Sequence, residues 1–128
     1  MRAIVDTHAF LWWGTEPEKL SGAAHDAIQN GENELYFSAV SAWEIAIKYA
    51  KGLLDLPQNA ETFVITRVRN RGFEPLPIEI SHALHTYHLP THHKDPFDRL
   101  LVSQAQLQGL AIITSDPAIA RYEVEVFW

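Results

Sequence analysis

Short apolar runs rich in β-branched residues, each followed by a stretch of helical periodicity, constrain this chain more than any other feature. Arg2-Ala3-Ile4-Val5 ends at Asp6-Thr7, a helix N-cap signal, and His8–Trp13 reads as a first helical stretch that stops at Gly14. Pro17–Gly31 carries Leu20, Ala23, Ala24, Ala27 and Ile28 at helical spacing, with Gly31 as a stop. Leu35-Tyr36-Phe37 is a short strand, and Ser38–Lys51 is a helix with Val40, Trp43, Ile47 and Ala50 as its apolar stripe. A helix from Gln58 to Arg71 closes at Gly72. Phe73–Ile78, interrupted by Pro75 and Pro77, suits an edge strand. Glu79–His88 is helical and stops before Pro90. Asp95-Pro96 opens a further helix, with Asp as N-cap and Pro in first position, that runs to Gly109. Leu110–Thr114 and Val124–Phe127 are the last strands. Strands alternating with helices predict an α/β fold, a three-layer α/β/α arrangement around a central, mainly parallel sheet.

Composition narrows the function classes. A chain of 128 residues fits one domain spanning 1–128, and folding at this size buries roughly two-thirds of the surface exposed in the unfolded chain. The 47% hydrophobic content excludes a disordered chain, and the absence of cysteine removes disulfides, Cys-based zinc sites and thiol nucleophiles. No apolar run approaches the ~20 residues of a membrane span, and MRAIVDTH lacks a signal-peptide core, so a soluble, cytoplasmic protein is expected. Ten basic against sixteen acidic residues give a net charge of −6, which excludes passive coating of nucleic acid by bulk charge. An acidic protein can still act on nucleic acid if its carboxylates gather around cations.

Several carboxylates do fall where such gathering is expected. In open α/β sheets the functional crevice lies beyond the carboxyl ends of the strands. Asp6 follows Ala3-Ile4-Val5 directly, and Asp116 follows Ala111–Ser115. Glu44 and Asp98 lie near the starts of helices opening on the same rim, with Asp95 three residues before Asp98. Each has a structural alternative. Asp6 and Asp95 can be N-caps, Ser41 and Glu44 have capping-box spacing, and Glu44 can pair with Lys48. Asp98 suits the helix dipole, and Asp116 before Pro117 suits a turn. Taken together, carboxylates on one edge repel one another unless a cation occupies the site. Oxygen-only ligands favour Mg²⁺ or Mn²⁺, and such an ion suits phosphate-ester hydrolysis.

The order of these motifs matches a family. An Asp after the first strand within IVDTHAFLWW, SAVSAWEI in the middle, HHKDPFDRLLVSQA and then AIITSD together resemble PIN-domain nucleases, in particular the VapC-like toxins of toxin–antitoxin pairs. The resemblance covers essentially the whole chain, and DPFDRLL followed by TSDP is its most specific part. It implies an acidic catalytic quartet at Asp6, Glu44, Asp98 and Asp116. Asp6, Asp98 and Asp116 would be the main metal ligands, with Glu44 completing the site and orienting the attacking water. Asp95, Thr114 and Ser115 would stand behind them. The resemblance further implies Mg²⁺ (or Mn²⁺), an RNA substrate cut as an endoribonuclease, a cognate antitoxin and a homodimer. The alternative is a non-catalytic PIN-like protein- or RNA-binding module, against which the intact quartet argues. A phosphatase of the HAD kind needs D-x-D-x-[TV], and Asp6 is followed by Thr7-His8.

Other features carry weaker signals. His82, His85 and His88 fan around a helix in steps of about −60°, which does not converge on a metal. His92 and His93 precede the Asp95 helix, as loop residues or as contacts to RNA phosphate. Arg67 and Arg71 share a helix face, and with Arg69, Lys48 and Lys51 they are the candidate positive surface. Arg99 either binds phosphate or shields Asp98. Phe10, Trp12 and Trp13 cannot all be buried equally on one helix, which leaves core, subunit-interface or base-stacking roles.

Overall fold

Period-two alternation along the strands divides the apolar side chains between two faces. The computed structural model describes residues 1–128. Strands β1 (Arg2–Val5), β2 (Glu34–Ser38), β3 (Glu74–Leu76), β4 (Ala111–Ile113) and β5 (Val126–Phe127) form one sheet in the order β3-β2-β1-β4-β5. Every neighbouring pair is parallel, so the mainly parallel sheet expected from sequence is wholly parallel. Ala3, Val5, Leu35, Phe37 and Ile113 join one core with Phe10, Ile28 and Phe63, whereas Ile4 and Ile112 join the other with Leu101, Val102 and Ala105. Helices α1 (Thr7–Thr15), α2 (Gly22–Gln29) and α4 (Ala60–Arg71) thus cover one face, and α6 (Pro96–Gln108) covers the opposite one. Helix α3 (Ala39–Ala50) contributes Val40 to one core and Ile45 to the other, and α5 (Ile80–His85) packs on α6.

Several boundaries move from their expected places for local reasons. The 17–31 segment is a 3₁₀ turn at Pro17–Lys19 followed by α2, because Ser21 stops the first and caps the second by accepting the Ala24 N–H at 3.0 Å. Likewise, α4 begins only after Asn59, which accepts the Thr62 N–H at 2.8 Å. The 79–88 stretch divides into α5 and a 3₁₀ turn at Thr86–His88. Gly109, at φ +66°, ends α6 as expected of a left-handed C-cap.

Gly14 does not end α1, which runs on to Thr15. A Cβ there would lie 2.8 Å from Phe63 Cζ and 2.6 Å from Arg67 Nε, so the glycine permits close approach of α4. Gly14→Ala is therefore expected to destabilise the fold by about 1–3 kcal/mol through overpacking. The ~1 kcal/mol that alanine normally contributes to a helix interior is outweighed. Urea denaturation measures the sign directly, and a stabilised variant would exclude this tight contact.

Candidate active site

The chain adds β2 and β3 on one side of β1, then β4 and β5 on the other, so the topology reverses between β1 and β4. A crevice at the carboxyl ends of the strands is expected at such a reversal. Asp6 and Asp116 flank it, one directly after β1 and the other three residues after β4. The strand ends are tied together where the Asp6 N–H donates to the Ile113 carbonyl at 3.1 Å. Asp6 is buried, and its Oδ1 accepts the Ala9 N–H at 2.7 Å. It therefore caps α1 while facing the crevice.

Helix α3 brings Glu44 to the same place. Its N-cap is Ser38, whose hydroxyl accepts the Val40 N–H at 3.0 Å, so the capping box considered for Ser41 and Glu44 does not form. Ser41 instead accepts a buried hydrogen bond from the Thr7 hydroxyl at 2.9 Å, which fixes α3 against the start of α1. The buried face is Val40, Ser41, Glu44 and Ile45, while Trp43 is 56% exposed. The expected apolar stripe is thus rotated, and a carboxylate goes inward where a tryptophan was anticipated. Glu44 Oε2 accepts from Lys48 Nζ at 2.6 Å, as the i, i+4 spacing predicts, but its buried Oε1 has no partner.

Asp95 is the N-cap of α6, its Oδ1 accepting the Phe97 N–H at 2.8 Å and the Asp98 N–H at 3.4 Å. Asp98, one turn in, is buried and faces Asp116 across His93. His93 Nε2 lies 2.9 Å from Asp98 Oδ2 and 3.0 Å from Asp116 Oδ2. Its Nδ1 accepts the Asp95 N–H at 3.2 Å, which assigns the proton to Nε2 and makes that nitrogen a donor shared by the two carboxylates. Thr114 is buried and its hydroxyl accepts the Asp116 N–H at 3.0 Å, whereas Ser115 is exposed.

Burial and mutual repulsion set the electrostatics. Burial pushes the Asp6 carboxyl up, against the Thr114 hydroxyl, the Ala9 N–H and His8, while Asp116 adds to the rise. Asp98 is pushed up to about 7, first by burial and then by Asp95 and Glu44, with His93 opposing and Asp6 adding. Buried carboxylates held this way favour a positive guest. The residues fit a hard divalent cation, since Glu44 Oε1 is an orphaned buried acceptor. Carboxylate oxygens of Asp98 and Asp116 also lie within 4.8 Å of one another, on either side of the His93 Nε2–H.

The expected positive surface is largely used inside the fold. Arg67 lies over the Phe63 ring at 3.8 Å and donates to the carbonyls of Gly14 and Phe63. Arg71 donates to the carbonyls of Ile28, Asn30 and Asn33, fastening α4 to the segment after α2. Arg99 turns away from the acids and donates to the carbonyls of Thr86, Leu89 and Pro90 and to the Tyr122 hydroxyl. It neither shields Asp98 nor faces the crevice. His82 is a core residue whose Nδ1 accepts the Glu79 N–H at 2.9 Å, while His85 is half-buried and His88 exposed. Phe10 is buried, and Trp12 and Trp13 are half-buried. His93, expected from sequence as a loop residue or a contact to RNA phosphate, instead lies between Asp98 and Asp116, and only its place two residues before an N-capping Asp hinted at this.

With this geometry in place, likeness to known proteins decides the family. The PIN domain model matches residues 3–125. The chain belongs to the PIN-domain family. Ribonuclease VapC22 of Mycobacterium tuberculosis is 34% identical over 122 residues, covering 88% of this chain and 85% of that protein. Ribonuclease VapC16 of the same organism is 40% identical over 58 residues, covering 45% of this chain and 41% of that protein. Among solved structures, VapBC2 from Rickettsia felis, bound to a DNA fragment from its promoter, superposes with a TM-score of 0.75 at 12% identity. That match covers 100% of this chain and 99% of the other, and it establishes likeness of fold. The PIN fold is the three-layer α/β/α arrangement expected from sequence.

Proposed function

We propose that this PIN-domain protein is a metal-dependent endoribonuclease and the toxin of a toxin–antitoxin pair. What supports the reading is that Asp6 and Asp116 flank the crevice at the topological reversal and that burial and then Asp95, Glu44 and Asp6 all raise the Asp98 carboxyl, with a buried Glu44 oxygen left unpaired. The relatives named ribonucleases supply the substrate class. Asp6, Asp98 and Asp116 would hold the cation, Mg²⁺ or Mn²⁺, with Glu44 completing the set. When bound, such an ion neutralises phosphate charge and lowers the pKa of a coordinated water. Glu44, anchored by Lys48 through one oxygen, presents the other to orient the attacking water. The Nε2–H of His93 donates to both Asp98 and Asp116 and so holds the two carboxylates in register. Attack forms a bond from water oxygen to phosphorus and breaks the bond to the 3′ oxygen, which takes up a proton. The products are a 5′-phosphate and a 3′-hydroxyl.

The partners are RNA, a cognate antitoxin that covers the acidic crevice, and a second copy of this chain, all meeting in the cytoplasm. No helix is long and apolar enough to cross a membrane. The reading is tested by incubating purified protein with single-stranded RNA in Mn²⁺ or Mg²⁺. Cleavage is expected to stop in EDTA and return when the ion is restored. Cleavage that persists in EDTA would exclude the cation-holding role of the quartet.

A further inference from the structure

An acidic nuclease must hold a polyanion somewhere, and the use made of its ten basic residues narrows the choice. Arg2, Lys19 and Lys48 are paired with Glu34, Glu16 and Glu44. Arg67, Arg71 and Arg99 serve backbone carbonyls. Lys51, Arg69, Lys94 and Arg121 remain. Lys51 caps the far end of α3, seven residues beyond Glu44, whereas Lys94 adjoins Asp95 and Arg121 ends the short 3₁₀ turn that follows Asp116.

Arg121 also lines a cleft of about 440 Å³ together with His85, His88, His92, Tyr122 and Glu123. That volume falls within the roughly 300–1,000 Å³ of small-ligand sites. The cleft adjoins the acidic crevice through Tyr122, whose hydroxyl accepts the His93 N–H at 3.0 Å and whose ring lies 5.0 Å from that of His92. Arg99 pins the opposite rim by donating to the Leu89 and Pro90 carbonyls. Beside it Tyr87, 77% exposed, lies over the His88 ring at 4.0 Å with 33° between the planes. No packing role accounts for that exposed aromatic face.

We infer that single-stranded RNA leaving the acidic centre passes His92 into this cleft, with a phosphate on Arg121 and a base stacked on the Tyr87–His88 pair. The inference rests on the ribonuclease reading and assigns its substrate path. A guanidinium without a protein acceptor matches phosphate oxygens, and exposed aromatic faces stack on unpaired bases of any sequence. Because Glu123 shares the lining, Arg121 is what keeps the cleft attractive to an anion. This path differs from the α4 surface suggested by Arg67, Arg69 and Arg71 in sequence, of which only Arg69 is free.

The test compares wild type, Arg121→Gln, Tyr87→Ala and the control Arg69→Gln on a mixed-sequence single-stranded RNA pool in saturating Mn²⁺. All three side chains are exposed, so circular dichroism should show folded variants. Arg121→Gln and Tyr87→Ala are expected to raise KM about fivefold or more, with kcat nearly unchanged and Arg69→Gln like wild type. Losing one phosphate contact should also flatten the plot of log kcat/KM against log salt by about 0.7 in Arg121→Gln but not in Tyr87→Ala. Wild-type KM in both cleft variants overturns the path and leaves the ribonuclease reading standing, even if antitoxin binding weakens. A wild type without EDTA-sensitive cleavage overturns both.

Discussion

Asp98→Asn is expected to lower RNA cleavage by more than about a hundredfold while leaving the protein folded. The substitution conserves volume and removes one charge from a crevice whose cation depends on carboxylates. Replacing residues that only support metal ligands typically costs ~10–100-fold, so a group that holds the ion itself should exceed that range. Asp6→Asn and Asp116→Asn should behave alike. Asparagine can still cap α1 at position 6, so loss of activity there would not be a folding defect. Asp95→Asn is the informative contrast. Its carboxylate accepts the first N–H groups of α6, and asparagine caps as well as aspartate does, so less than about tenfold should be lost. Rates measured by gel under single-turnover conditions, with circular dichroism as the folding control, separate the two classes. Full activity in Asp98→Asn would sink the assignment.

The contrast between residues 98 and 95 also marks what a sequence of this kind discloses. Asp6 and Asp116 were legible because a carboxylate at the end of a β-branched run has few places to go in an α/β fold. Asp95 was legible because capping is local chemistry, decided within three residues. The inward face of α3 was not. Trp43 has the greater hydrophobic claim, yet Glu44 is buried, since the Thr7–Ser41 hydrogen bond and the packing of Val40 and Ile45 fix the rotation of the helix. His93 was missed for a related reason. Its ring reaches Asp116 from a loop held by the Tyr122 hydroxyl and, upstream, by the Arg99 guanidinium on the carbonyls of residues 86, 89 and 90, and no local pattern encodes that. Arginines 67 and 71 read as a positive face because their acceptors are carbonyls distant in sequence. Gly14 read as a stop because the neighbour that requires it, Phe63, lies on another helix. Strand ends and caps are properties of a segment, whereas helix rotation and loop docking are decided between segments.

The second large effect concerns stability, and its sign is opposite to that of an ordinary salt-bridged aspartate. Asp98 rises from an unfolded value near 3.8 to about 7 in the metal-free fold, chiefly through burial. Between those values the folded protein holds a proton that the unfolded chain has released. The slope of unfolding free energy with pH follows protons bound unfolded minus protons bound folded, and is therefore negative. The stabilising contribution is fully present below about 3.8 and is lost as pH rises through about 7. A tenfold change in proton affinity corresponds to about 1.4 kcal/mol, so the window carries a few kcal/mol. Asp6, also raised by burial, adds to the same trend. Other groups titrate across this range, so the measurement is a difference. In EDTA, wild type should lose more stability between about pH 4.5 and 7 than Asp98→Asn, whose amide cannot ionise. A cation that binds only the folded state should restore stability at pH 7 by RT ln(1 + [L]/Kd), about 2.7 kcal/mol at a hundredfold excess over Kd. Asp98→Asn should gain much less. Urea denaturation at matched ionic strength reads both responses. Equal pH slopes and equal gains from Mn²⁺ in the two proteins would remove Asp98 from the cation site, because a buried carboxylate that shares an ion cannot be neutralised without altering both.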